Sequence, residues 1–224
     1  MPAKIFSIEA REDGGARLAL NYKHAGRSGI QRISCDLSQA GLLQLVLFAE
    51  ALSLHQRFGR PGAPDLSTDG LIISFDAARG DLNVQRQAGY SKQTARLAVE
   101  VFLSGMAEMT DLCITRAETS KHGPALKRLL ADTAAPEGLA QDLGQDEADL
   151  AMHQLREIAF LLLVQDTSAR KSGLARKLRG KKSQDQARSA VNALVLELAA
   201  ELVAVSACVP SGDPGTPLER RAGC

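Results

Sequence analysis

The chain has 224 residues, of which 45% are apolar and 24% charged, proportions of an ordinary folded protein that exclude disorder over most of its length. A net charge of +1 excludes a uniformly basic nucleic-acid binder and an acidic solvating chain, but it leaves room for local segregation of charge. Aromatic residues make up 4% and Trp is absent, which argues against a platform for stacking on bases.

The chain opens on strand-like alternation. From Lys4 to Ala10, Phe6, Ile8 and Ala10 share one face and Ile5, Ser7 and Glu9 the other. The turn Glu12-Asp13-Gly14-Gly15 supplies the glycines of a tight hairpin. Ala16 to Lys23 then places Leu18, Leu20 and Tyr22 inward and Arg17, Asn21 and Lys23 outward, the pattern of a half-buried antiparallel strand. After a polar turn, Ile30 to Cys35 reads as a third strand. Asp36 and Gln39 stand at capping-box spacing before a nearly continuous apolar run, Leu42 to Leu54. A helix apolar on most sides is buried rather than amphipathic. It should stop near Phe58-Gly59, before the loop that holds Pro61, Gly62 and Pro64.

A second unit starts at Gly70. Leu71 to Asp76 and Leu82 to Gln87 flank Ala78-Arg79-Gly80-Asp81, a hairpin signal. Ser91 is then expected to cap a helix running through Leu97, Val101, Phe102, Met106 and Met109, with a short strand at Leu112 to Arg116. The repeated strand, strand, helix order predicts an α+β fold with helices layered on an antiparallel sheet. Lys121 to Gly144 is rich in small residues around a short helix, Ala125 to Leu130. Two helices follow. One runs from about Asp146 to Gln165 with Leu150, Leu155, Ile158, Leu161 and Leu162 as its stripe; the other begins with Ser183 and Gln186 at capping-box spacing and carries Val191, Leu194, Val195, Leu198, Leu202 and Val205. They predict a C-terminal antiparallel helical hairpin. The organisation read from this is an α+β domain over 1–119, a linker or loosely packed connection over 120–145, a helical hairpin with a basic connector over 146–209, and a mobile tail over 210–224.

Charge is segregated along the second half. Asp132, Glu137, Asp142, Asp146, Glu147 and Asp149 follow one another with no Lys or Arg between. Arg170, Lys171, Arg176, Lys177, Arg179, Lys181 and Lys182 then come with no acid between. Seven cations in thirteen residues, interleaved with Ser172, Gly173 and Gly180, suit contact with phosphates. The plainer reading is a solvated connector, or one paired with the acidic stretch before it. The outward sheet positions Arg17, Lys23, Arg32, Gln85 and Gln87 read as a polar solvated face, because no aromatic interleaves with them.

Other motifs carry less. Val84 to Ala95 resembles the middle of a helix-turn-helix, which would start a recognition helix at Ser91 to Arg96. Against it, Gln85 occupies a position that normally needs a small residue, and strand–turn–helix is the simpler assignment. Gly180-Lys181-Lys182-Ser183 echoes a phosphate loop, but the spacing to the earlier glycine is wrong. His24, His55, His122 and His153 have no paired-ligand spacing, and no nucleophile elbow occurs. Cys35, Cys113, Cys208 and Cys224 form no C-x-x-C pair and read as reduced thiols. No apolar run approaches the roughly 18–20 residues of a membrane span, and the strand-like start leaves no signal peptide, so a cytoplasmic location is expected.

These features predict no catalytic residue, no metal and no cofactor. The function expected is a nucleic-acid-associated accessory protein that contacts the DNA or RNA backbone through Arg170 to Lys182. The alternative is a protein-interaction or assembly module, a homo-oligomer or complex subunit, working through the C-terminal helices with no nucleic-acid contact. No membrane partner is expected.

Overall fold

Alternation builds the first sheet as expected. In the computed structural model, which describes residues 5–23, 29–58, 65–76, 78–168, 173–179 and 184–206, β1 (Phe6–Ala10), β2 (Ala16–Lys23) and β3 (Ile30–Leu37) form an antiparallel meander. Leu18, Leu20, Ile33, Cys35 and Leu37 are buried on one face. The register pairs Arg17 with Asp36 and Asn21 with Arg32 on the other.

The apolar helix α1 (Gln39–Phe58) follows. Its N-terminus is fixed by Ser38 rather than by the Asp36–Gln39 pair. Ser38 Oγ accepts the Gly41 N–H at 3.0 Å, while Asp36 remains in β3 and pairs with Arg17 at 2.8 Å. Asp69, from the following unit, secures this cap: its carboxylate accepts the Ser38 N–H at 2.7 Å and the Ser38 hydroxyl at 2.9 Å.

The second sheet has four antiparallel strands, β4 (Leu66–Thr68), β5 (Leu71–Asp76), β6 (Asp81–Ala88) and β7 (Ser91–Ala98). The fold is α+β with repeated strands leading into a helix, but the strands form two sheets. The expected outward face is divided accordingly, Arg17, Lys23 and Arg32 on the first and Gln85 and Gln87 on the second. Ser91 to Ala98 is a strand, not the start of a helix, and it pairs with β6 over its whole length. Val84 to Ala95 is therefore strand–turn–strand, which removes the helix-turn-helix reading. The helix begins at Val99 instead, as α2 (Val99–Glu118), and it absorbs the segment Leu112 to Arg116 expected as a strand.

The two helices cross between the units. α1 leaves the first sheet and packs on β4, while α2 leaves the second sheet and packs on β1. Where they meet, the Phe102 ring lies 5.4 Å from Phe6 and 5.8 Å, edge-on, from Phe48. Gly105 is required here, because a Cβ would stand 2.4 Å from the Phe6 ring.

The remaining helices are α3 (Gly123–Ala131), α4 (Leu139–Leu143), α5 (Gln145–Ser168), α6 (Leu174–Lys177) and α7 (Gln184–Ser206). The two long ones, α5 and α7, pack together; α5 also lies against α1 and α2 and carries α3 and α4. α1 and α2 thus have sheets on one side and α5 on the other. This explains why α1 buries Leu42, Leu45, Val46, Phe48, Leu52 and Leu54 around most of its circumference. Ser183 and the tail over 210–224 lie outside the described residues.

Candidate nucleic-acid interface

The basic connector is anchored to the body by two leucines one helical turn apart. Leu174 is buried and Leu178 packs against the core, with the Leu178 N–H donating to Leu174 O at 2.9 Å. Fixing these two leaves Arg176 and Arg179 exposed. Arg170, Lys171, Lys181 and Lys182 lie outside the described residues.

The connector comes down beside the corner between α2 and α3. Burial, then the charges of Arg179 and Lys121, push the His122 imidazole below its ordinary range. His122 is thus within electrostatic reach of both Lys121 and Arg179, although 57 positions of sequence separate it from Arg179. The corner itself is tight. The Gly123 N–H donates to Ser120 Oγ at 3.2 Å, and a Cβ on Gly123 would lie 2.3 Å from Ala117 O.

Beside this corner opens a cleft of about 380 Å³, floored by Leu42, Leu43, Leu161 and Val164 and rimmed by Gln39, Ser120, Gln165 and Arg116. Arg116 supplies the only charge among its lining residues. Cys113 also faces the cleft, and burial raises its thiol above the usual range. The β1–β2 turn closes one side, with Gly14 against the Gln39 side chain.

Several acids near this end are engaged, although Asp166 on α5 and Asp185 at the start of α7 form no ion pair among the described residues. Asp13 pairs with Arg11 at 2.8 Å, Asp36 with Arg17 at 2.8 Å, Glu118 with Lys127, and Asp69 caps α1. Asp132, the first acid of the acidic stretch, reaches Arg188 of α7 at 3.5 Å and not the connector. Among the described residues, Arg116, Lys121, Arg176, Lys177 and Arg179 make no ion pair. Cations with no paired acid leave their field open to an external anion.

The connector is legible in the sequence, whereas Arg116, Lys121 and His122 are not assigned to a site there. A strand over Leu112–Arg116 hides the fact that Arg116 sits in the last turn of a long helix. Lys121-His122 next to it is the signal that could have found the corner.

Among the described residues, no group of three His, Cys, Asp or Glu is placed to hold a metal ion, and no helix is long and apolar enough to cross a membrane. No protein-family model, curated protein or solved structure matches the chain.

Proposed function

We propose that this protein is a nucleic-acid-associated accessory protein that grips the phosphate backbone, without base specificity, through the connector between α5 and α7 and the cations next to it. The observation that carries the reading is that Arg116, Lys121 and Arg179 lie around one corner with no ion pair of their own, while Glu118 beside them is taken by Lys127. Backbone binding of this kind gains its free energy by releasing counterions, so affinity falls steeply with salt. Arg170, Lys171, Lys181 and Lys182 enter the proposal from the sequence alone.

The test is fluorescence anisotropy with labelled single- and double-stranded DNA and RNA across a salt series. A variant with Arg116, Lys121, Lys177 and Arg179 all changed to Gln should bind at least about tenfold more weakly. Its log–log salt slope on duplex should shrink by roughly one for each phosphate that the variant no longer neutralises. Unchanged affinity and slope would refute the proposal.

A different observation favours the assembly reading. Leu150 on α5 and Leu196 on α7 are 39% and 49% exposed, large apolar side chains on the two helices expected to meet a partner. Light scattering that returns a strict monomer at every concentration would remove self-assembly.

A further inference from the structure

The hairpin of β6 and β7 projects beyond its own sheet. The two strands pair over eight residues, from Asp81↔Ala98 to Ala88↔Ser91, whereas the β5 ladder ends at Leu71↔Arg86. The last two pairs, Gln87↔Lys92 and Ala88↔Ser91, therefore have no third strand beside them. What holds the projection at its base is a close backbone approach: the Gln87 N–H donates to Gly70 O at 2.8 Å. Gly70 has φ +75°, and a Cβ there would lie 2.8 Å from Gln87 O. At the far end Gly89, with φ +59°, takes the first position of a two-residue loop, where a left-handed conformation suits glycine. Tyr90 takes the second and is fully exposed.

An aromatic ring held wholly in water at the tip of a clamped hairpin is not packing against anything. Its surroundings decide what would cover it. From Leu82 to Ala98 there is no acid, and Lys92 and Arg96 supply positive charge on the outward face, while Arg86 lies on the other face, in line with the buried Val84 and near Asp36. The outward face pairs Gln87 with Lys92, Gln85 with Thr94 and Asn83 with Arg96, so toward the tip it is a surface of cations and neutral hydrogen-bonding groups, with the acids Asp81 and Asp76 only at its base. The complementary ligand carries regular negative charge and flat, unpaired π faces. A duplex buries those faces in its own stack, whereas a single strand offers them.

We infer that the β6–β7 hairpin is a finger for single-stranded nucleic acid, with the Tyr90 ring stacking on one base and Lys92 and Arg96 facing the backbone. This rests on the reading that the protein contacts nucleic acid, and it adds a preference for single strands that the basic connector would not confer. The scarcity of aromatics argues against a stacking platform on the sheet face, whereas a finger at a hairpin tip needs one ring.

The test uses the full chain with a labelled oligothymidylate and a duplex of the same length. Tyr90→Ala should weaken single-strand binding roughly five- to a hundredfold, the range for one stacked base, while leaving duplex binding nearly unchanged. Tyr90→Phe should retain wild-type affinity. Because the chain has no Trp, Tyr90→Trp provides a lone reporter whose emission should change when the oligothymidylate binds. If the wild type binds the oligothymidylate with a salt-dependent affinity but Tyr90→Ala binds equally well and the Trp emission stays constant, the finger is overturned and the backbone-grip proposal survives. Failure of the wild type to bind any nucleic acid at low salt would bring down both.

Discussion

Glu50 gives the sharpest test of how the helical layers are packed. It lies on α1, largely withdrawn from water where α2 and α5 close over that helix. Burial raises its carboxyl to about 7, and the charges of Glu157 on α5 and Asp111 on α2 add to the rise. One turn further along α1, Gln154 of α5 donates to Ser53 Oγ at 3.1 Å, so Glu50 and Glu157 belong to the same polar seam. His153 stands 3.2 Å from Glu157 on its own helix. The sign follows from the direction of the shift. A carboxyl raised above its unfolded value of 4.5 holds its proton more tightly in the folded state. Stability is then highest below that value, falls as pH rises from about 4.5 to 7, and levels off above. Once both states are ionised, the cost to the fold is about 2–3 kcal/mol, after allowance for the part of the group still in water. Glu50→Gln keeps the shape and removes the charge. At pH 8 it should raise the melting temperature by roughly 5–10 °C, at about 2–4 °C per kcal/mol for a chain of this size. Near pH 4 wild type and variant should melt almost together. Thermal melts followed by circular dichroism between pH 4 and 8 give the comparison. A difference that stays constant with pH, or a variant less stable than wild type at pH 8, would mean that Glu50 is not buried against like charges.

Two other substitutions test the frame. Phe102→Ala removes a fully buried ring from contact with both Phe6 and Phe48, and urea denaturation should show a loss of about 3–5 kcal/mol; a loss under about 1 kcal/mol would refute the crossed packing of α2 on β1. Asp69→Ala removes both bonds to Ser38 and should cost about 1–2 kcal/mol by the same measurement, whereas Asp69→Asn should retain part of it because Asn also tolerates the φ of +48° found at this position.

Much of the first half was legible because alternation is a strong signal wherever one face of a strand meets the core. β2 reads off Leu18 and Leu20 directly, and α1 reads off an apolar run too long for a strand. The failures have specific causes. Only Ala95 and Leu97 of β7 are buried, so its exposed half, Ser91 to Thr94, shows no hydrophobic alternation, and Ser91 looks like a helix cap. Leu97 falls in step with the helical spacing of α2, which hides the true start at Val99. β4 is three residues long, below the length at which any period can be counted. That there are two sheets, with helices exchanged between them, depends on packing between residues far apart in sequence and has no local signature. The site divides in the same way. The connector is visible as a run of charge, and Leu174 and Leu178 could have been recognised as its anchors. Arg116 and Lys121 join it only through tertiary packing.

The Asp69-Gly70 turn has a larger part than its length suggests. Through Gly70 O it holds the base of the β6–β7 hairpin at Gln87, and through the Asp69 carboxylate it fixes Ser38 at the start of α1. Cys35 adds a third link, its thiol donating to Asp69 O at 3.5 Å. The next residue after Ser38, Gln39, lines the cleft along with Arg116 and touches the β1–β2 turn at Gly14. The projecting hairpin is therefore joined by a short series of hydrogen bonds to the first turn of α1, whose Gln39 shares the cleft with Arg116. As far as Ser38 the links use backbone groups and short side chains, which fixes the hairpin base against the start of α1. On the proposed reading that both surfaces take one strand, a short span between them would make the second binding step intramolecular once the first has formed.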